Sequence, residues 1–435
     1  MEGKRAAFCT LGCKVNQNET EAMEELFRRA GYEIVDFSQA ADVYVIHTCT
    51  VTHLGDRKSR QMIRRAIRRN PEAVVVASGC YAQIAPGEIL AIPGVDLVIG
   101  TKSRAEIVEL VEQVREKGRP INAVGDISRE DKFEEMPIFN PGRVRAFMKI
   151  QEGCREFCTY CIIPFARGPV RSRLPANILE ETVRLVEQGY KELVLTGVHT
   201  GVYGQDLAEG IDLNWLLQKL IKVPGLRRIR ISSLNPNEFS PALIDTLASS
   251  PLICPHLHIS LQSGDDEILR RMGRKYSTDQ FARLLSELRV KIPDLAVTTD
   301  IMVGFPGETR EQHQKSLAFV RSQELAGIHV FQYSPRRGTK AAGFPDQVLP
   351  AVKEARQREF SQLGQELAHS FASRFLGRTL EVLVEGKDEE GYWEGHTGNY
   401  LKVKFSDHGD IRGEIVAVIL QEIRDGCLFG SREIC

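Results

Sequence analysis

The stretch Met148 to Gly168 carries three cysteines in a Cys-x3-Cys-x2-Cys arrangement: Cys154, Cys158 and Cys161. Three thiolates this close along a chain can hold three corners of an iron-sulfur cube. Because the cube has four irons, one iron keeps a position open for a ligand the protein does not supply. A structural zinc site is the alternative chemistry. It normally closes with four ligands in paired clusters, and no fourth Cys or His lies within ~30 residues of this set. A second set is spread wider: Cys13, Cys49 and Cys80 are separated by 36 and 31 residues.

The elements around these cysteines explain both spacings. Residues 1 to about 116 alternate between strand-like and helical patterns. Ala6–Leu11, Val43–Ile46, Val74–Ala77 and Leu97–Ile99 read as strands. Helices are predicted over Asn16–Ala30, stopped by Gly31, then up to Asn70-Pro71, and over Arg104–Glu116. This is the pattern of an open parallel α/β sheet. Cys13, Cys49 and Cys80 each fall just past the carboxyl end of one of the first three strands, the edge where such sheets bind ligands, so the three converge. Three buried, inert thiols are the plainer reading of the same residues. Cys9 sits on the first strand and is expected to point elsewhere.

Residues 117–143 lack periodicity and read as a linker. From 144 to 370, six strand-like runs recur at the spacing of a β/α barrel: Val144–Ile150, Glu192–Val198, Arg228–Leu234, Leu257–Leu261, Val297–Val303 and Ile328–Tyr333. Six repeats predict a partial (β/α)6 barrel. The cysteine loop follows its first strand and so lies on the catalytic face. From 371 to 435, short runs at Thr379–Glu385, Tyr400–Phe405, Glu414–Leu420 and Cys427–Glu433 predict a small closed β-barrel.

A net charge of -1 and 42% hydrophobic residues describe a globular chain with no global pull toward nucleic acid or membrane. No run approaches the ~18 apolar residues that cross a bilayer, and the N-terminus lacks the apolar core of an export signal. The uneven spacing of the ten cysteines then argues for reduced thiols and a cytoplasmic protein. Cys254, Cys427 and Cys435 have no metal-like partners and are read as inert. No Gly-x-x-x-x-Gly-Lys loop supports ATP hydrolysis. Charge is concentrated locally instead. The helix from Arg57 to Arg69 holds seven Lys and Arg and no acid, and Arg64, Arg65 and Arg68 are read as an RNA-contacting face rather than a merely solvated one.

With its aromatic Tyr160 before the last cysteine, the Cys154–Cys161 stretch resembles the signature of the radical S-adenosylmethionine superfamily. Thr10–Gln17 around Cys13, His47–Thr52 around Cys49 and Ser78-Gly79-Cys80 resemble the three cysteine motifs of the methylthiotransferase family within it. The tail is similar to the TRAM domain, an RNA-binding module. Its eight Lys and Arg against twelve Asp and Glu leave only a local patch, Lys402 and Lys404, to meet RNA, with Trp393 or Tyr400 to stack on a base. Family members usually carry Asn at the position of His47, which is read as a local hydrogen-bonding substitute.

The resemblance implies two 4Fe-4S clusters, on Cys13, Cys49 and Cys80 and on Cys154, Cys158 and Cys161, and two molecules of S-adenosylmethionine. One molecule would methylate sulfur at the first cluster; the other would be cleaved reductively at the second, and its radical would activate the substrate. Tyr160, Gly197, Ser260, Gln262, Asp300 and Gly304 fall in segments similar to the family's cofactor contacts. His199, His256 and His258 are read as structural. The cysteine motifs look most like the branch acting on threonylcarbamoyladenosine at tRNA nucleotide 37. Isopentenyladenosine in tRNA and an aspartate of a small-subunit ribosomal protein are the alternative substrates, and a non-catalytic iron-sulfur or RNA-binding scaffold is the alternative class. The partners implied are tRNA, through its anticodon stem-loop, and an electron donor such as a flavodoxin or ferredoxin. A threonylcarbamoyl carboxylate needs a cationic or hydrogen-bonding partner, and Arg336 and Arg337, after the last barrel strand, are candidates at the mouth, with solvated surface arginines the alternative reading.

Overall fold

The computed structural model describes residues 4–136, 138 and 143–433. The end of the predicted linker at Asn140-Pro141-Gly142, and Cys435, lie outside the described residues. The first sheet runs β2 (Glu33–Val35), β1 (Arg5–Thr10), β3 (Val43–Thr48), β4 (Val74–Gly79), β5 (Leu97–Ile99), β6 (Ile121–Asn122), parallel throughout. Every residue of β3 and β4 is buried, because helices cover both faces and each strand packs apolar side chains to both sides. Helix α1 (Lys14–Arg29) follows β1, and α2 (His53–Arg69) follows β3. The short strands β2 and β6 were not expected: unlike the all-apolar Leu97–Ile99, each mixes a polar residue into a run of two or three.

The central unit has six main parallel strands in two groups. β7 (Ala146–Glu152), β9 (Glu192–Gly197) and β10 (Arg228–Ile231) form one group; β11 (His256–His258), β12 (Ala296–Val303) and β13 (Gly327–Gln332) form the other. Isolated parallel bridges, Ile229 to Ile253 and Leu234 to Ile259, join the groups into an open arc. A two-residue strand, β8 (Arg171–Ser172), adds an antiparallel edge beside β7. One Leu- and Ile-rich core fills the arc and its helices.

The C-terminal barrel closes in the order β14 (Thr379–Lys387), β15 (Trp393–Thr397), β16 (Lys402–Ser406), β18 (Cys427–Arg432), β17 (Ile415–Arg424). Strand β15 adds a fifth member to the four read from the sequence. Its inward residues are Trp393, Gly395 and Thr397, so the apolar alternation that marks a strand is hidden. Trp393 is 4% exposed and packs into the barrel core, which corrects its expected role as a base-stacking residue. The long helix Pro350–Ser373 places Phe360 and Leu363 in the arc's core and Phe371 in the barrel's, and the 370/371 border falls in its last turn.

Where the first two units meet, charge is buried. Glu19 of α1 lies 2.5 Å from Arg104, 2.5 Å from Arg167 and 2.9 Å from Lys149 of β7. Glu152, also on β7, lies 2.7 Å from Arg167 and 3.0 Å from Lys149. Glu134 pairs with Arg104 at 2.8 Å, and buried Arg171 lies 3.7 Å from Glu152. Glu19, Arg104 and Glu152 are wholly buried and Arg167 nearly so. Burial opposes ionisation of Glu19, but Arg104, Arg167 and Lys149 outweigh it and hold the carboxyl well below the usual range; Glu152 is shifted the same way. A second seam is formed by Arg336, which bonds Asp56 Oδ2 and Thr50 Oγ1 at 2.6 Å each. Arg336 is 6% exposed, so the structure corrects its expected place as a free cation at the mouth: it ties the arc to the first sheet.

Removing one member of a buried ion cluster leaves its partners uncompensated. The substitution Glu19→Ala is expected to destabilise the protein by about 3–5 kcal/mol, measured by denaturant unfolding under anaerobic conditions. Because both folded-state pKa values are depressed, the stability Glu19 and Glu152 contribute is full above about pH 4.5 and is lost as pH falls below it. Unfolding midpoints that are flat from pH 6 to pH 3 would contradict this.

Candidate active site

The register of the first sheet decides where its cysteines begin. Thr10 pairs with His47, His47 with Ser78 and Thr48 with Gly79, so the three strands end level at one edge. Cys13 caps α1, Cys49 follows β3 directly, and Cys80 opens the short helix after β4. All three line one cavity of about 920 Å³, together with Gly197 from the end of β9 and Asp300 from β12. Gly12, at a φ of 111°, faces Cys49: a Cβ there would stand 3.1 Å from Cys49 Cβ and 3.2 Å from its sulfur. The backbone thus leaves space between the cysteines that any side chain would fill.

Among the described residues no three His, Cys, Asp or Glu groups sit close enough to bind a single ion. Thiolates at three corners of a cube each bond a different iron, and the three thiols that line this cavity are that kind of donor set. Burial pushes the Cys80 thiol up to about 12. Arg167 Nε donates to Cys80 Sγ at 3.2 Å. Its Nη2 donates to Asn16 Oδ1 at 2.7 Å, and its Nη1 reaches Glu19 and Glu152, so every nitrogen of the guanidinium is engaged. His47 is fully buried with Nε2 3.2 Å from Glu19 Oε2, a local partner rather than a cavity group.

Cys154, Cys158 and Cys161 occupy the loop after β7. Its base is closed by Cys154 N–H to Gly168 O at 3.0 Å, and its tip by Cys161 N–H to Cys158 O at 2.9 Å. Arg274 Nη1 donates to Cys158 Sγ at 3.3 Å. His199 Nδ1 lies 3.6 Å from Cys154 Sγ, while its Nε2 meets Glu238 and Asn235. Burial disfavours charge on His199, but Cys154 and Glu238 prevail and raise it to about 10. Two cationic donors facing a thiolate-rich loop suit an anionic cluster. Neither Arg274 nor a role for His199 beside the cysteines was read from the sequence, because they lie 116 and 45 residues from their partners.

The residues expected to contact cofactor divide. Gly197 and Asp300 reach the cavity. Tyr160 is partly buried against Ile268, Met272 and Phe305. The Ser260 carbonyl accepts from Tyr276, and Gln262, at a φ of 73°, donates its N–H to Asp300 O at 2.8 Å; these two shape the strand ends that carry Asp300. Gly304 lies buried under Lys353 and donates to Glu308 Oε2 at 2.6 Å. His258 Nε2 is 3.2 Å from Asp300 Oδ2, and His256 and His329 join it in the cavity wall. Arg64, Arg65 and Arg68 are exposed on α2 and have no ion-pair partner among the described residues. Lys402 and Lys404 are each neutralised, by Glu394 at 2.7 Å and Asp388 at 2.6 Å. No described helix is long and apolar enough to cross a membrane.

Family models match three stretches: the Radical SAM superfamily over residues 148–320, the Uncharacterized protein family UPF0004 over 5–100, and the TRAM domain over 373–431. The chain is 48% identical over 418 residues to Threonylcarbamoyladenosine tRNA methylthiotransferase MtaB of Bacillus subtilis, covering 95% of this chain and 92% of that one. It is 35% identical to tRNA-2-methylthio-N(6)-dimethylallyladenosine synthase of Moorella thermoacetica, covering 98% of each. Among solved structures, the radical S-adenosylmethionine methyltransferase TsrM of Kitasatospora setae shares the fold, with a TM-score of 0.55 at 16% identity over 75% of this chain and 72% of that one. The chain belongs to the radical S-adenosylmethionine methylthiotransferases. Membership makes it an enzyme that uses S-adenosylmethionine and a 4Fe-4S cluster.

The cysteine loop depends on Gly153, at a φ of 78°, where a Cβ would fall 1.7 Å from Pro169 O. The substitution Gly153→Ala is expected to remove about one 4Fe-4S cluster's worth of iron and visible absorbance while the circular dichroism of the fold persists. Full iron content in that variant would show that the loop tolerates the change.

Proposed function

We propose that the enzyme methylthiolates threonylcarbamoyladenosine at nucleotide 37 of tRNA, using a second 4Fe-4S cluster on Cys13, Cys49 and Cys80 beside the radical cluster on Cys154, Cys158 and Cys161. The observation that carries this reading is the shared cavity: the carboxyl edges of two different units, one with three cysteines and one with Gly197 and Asp300, open on the same space. A chain 48% identical that is named for this activity supports the substrate. We propose divisions at 1–116, 117–143, 144–370 and 371–435, a cytoplasmic setting, and a flavodoxin or ferredoxin as electron donor.

Bound in these sites, the iron-sulfur groups and S-adenosylmethionine supply the reducing electron, the radical and the methylthio group. The chain's own residues supply position. Arg167 fixes the Cys80 thiolate by a charge-assisted hydrogen bond while bonding Glu19 and Glu152, and Arg274 does the same for Cys158. His258 and Asp300 hold each other in the cavity wall, where Gly197 lets a ligand approach backbone. The RNA phosphates are met by α2. Arg57, Arg60, Arg64 and Arg68 line a concave surface there, and the helix starts just after Val51 and Thr52, with Val51 in the cavity wall.

Two measurements test this. Reconstituted protein is expected to hold about eight irons, and changing Cys13, Cys49 and Cys80 together to Ala leaves about four, with cleavage of S-adenosylmethionine to 5′-deoxyadenosine retained. Unchanged iron would remove the second cluster. Reversing Arg64, Arg65 and Arg68 to Glu is expected to weaken binding of the anticodon stem-loop and to flatten its log–log salt slope by roughly two to three. A slope equal to the wild type's would place the RNA elsewhere.

A further inference from the structure

With Arg336 committed to Asp56, a carboxylated substrate needs another cation, and the cavity wall contains one. Lys14, the residue after Cys13, lines the cavity with its ammonium 5.7 Å from the centre of the Tyr400 ring. No carboxylate lies within ion-pair reach of it among the described residues. Its cationic neighbours are already satisfied. Arg230 is held by Glu192 at 2.7 Å and by the Gly398 carbonyl at 3.0 Å; Arg145 pairs with Glu385 at 3.3 Å and donates to Tyr400 Oη at 3.2 Å. Lys14 is the charge left over.

A second observation points to the same spot. His256 is 5% exposed and lines the cavity, and its Nδ1 is buried with no hydrogen-bond partner. Its Nε2 lies 3.4 Å from Thr298 Oγ1, and its ring stands 4.7 Å from that of Tyr400. Thr298 Oγ1 also lies 3.0 Å from His258 Nδ1, so one hydroxyl is shared between the two imidazoles and His256 Nδ1 is left a buried polar atom facing the cavity without a partner. A buried polar atom without a partner is costly unless a ligand supplies one. Tyr400 connects the two groups. It comes from the C-terminal barrel, takes a φ of 68° in the turn Thr397–Leu401, and stacks over Arg230 at 4.5 Å.

We propose that Lys14, beside Tyr400 and the unpartnered His256, forms a carboxylate-binding subsite that recognises the threonyl carboxylate on N6 of the target adenosine. The subsite rests on the substrate reading above and deepens it. Its place follows from chain order: Lys14 adjoins Cys13, so a carboxylate held there keeps the nucleoside against the cysteine edge of the first sheet. S-adenosylmethionine also carries a carboxylate, and the experiment separates the two sources.

Anticodon stem-loops are prepared with threonylcarbamoyladenosine, with the same group as its neutral carboxamide, and with isopentenyladenosine. Binding and turnover are measured with the anaerobic, cluster-loaded enzyme in the presence of S-adenosylmethionine. The wild type is expected to prefer the acid over the carboxamide by roughly 10- to 100-fold, the worth of one charge-assisted hydrogen bond. Lys14→Gln brings the acid down to the level of the carboxamide, and Lys14→Arg restores most of the preference. Iron content and the Kd for S-adenosylmethionine, measured on the same preparations, report loading and the other carboxylate. The subsite is overturned if Lys14→Gln keeps the wild-type preference, if it weakens acid and carboxamide equally, or if its main effect is on the Kd for S-adenosylmethionine. A wild type that uses acid and carboxamide alike sinks the subsite alone, whereas one that acts only on isopentenyladenosine sinks the substrate reading.

Discussion

The buried charge cluster around Glu19 and Glu152 is the constraint on which the geometry of the site depends. Bringing these ionised groups into the junction of two units costs several kcal/mol per ion in lost hydration, and only the assembled arrangement returns it. Glu19 belongs to the first sheet's α1, whereas Lys149, Glu152 and Arg167 belong to the arc, so neither set is satisfied alone. Such a cluster contributes little net stability but tolerates few alternative dockings. Arg167 carries that specificity into the chemistry. Its planar fork leaves Nε for Cys80 once Nη1 and Nη2 are held by carboxylates and Asn16, so the same contact that docks the arc also orients a cysteine of the opposite unit.

The cysteines were legible because their message is local. A strand followed by a helix consumes some thirty residues, so cysteines 36 and 31 apart had to recur at one sheet edge, and the level register of Thr10, His47 and Ser78 is the structural form of that spacing. The charge cluster was illegible for the opposite reason. Glu19 and Arg167 are 148 residues apart, and neither lies in a pattern whose period predicts a partner. Arg336 was misread because a basic residue after a barrel strand has the same sequence appearance whether it faces the mouth or a carboxylate on another unit. Trp393 was misread because its strand hides its inward face behind Gly395 and Thr397. Propensity finds elements; it does not say which buried surface an isolated side chain will meet.

The C-terminal barrel takes on a different meaning once its charges are placed. Its acidic excess and the pairing of Lys402 and Lys404 leave it little attraction for a phosphate backbone, yet Tyr400 reaches past its surface into the cavity wall. Arg145, Arg228 and Arg230 of the arc bond the barrel's Glu385, Glu381 carbonyl and Gly398 carbonyl, which holds that tyrosine in place. The barrel acts here as a wall of the reaction chamber.

The opposite rim is basic. Helix α2 has 17 residues, roughly 25 Å of length, and departs from the cavity edge at Val51 with its free arginines along the outside. An RNA strand attracted to that helix is repelled by the acidic barrel beyond the cavity, and the field between them favours one approach across the opening. Exposed Val51 and Phe331 line that opening and offer apolar surface to an unstacked base, whereas Lys14 and His256 stand beside Tyr400. The basic helix, the apolar rim and Lys14 thus offer, around one opening, partners for the phosphate, the base and the distal carboxylate of the proposed nucleotide.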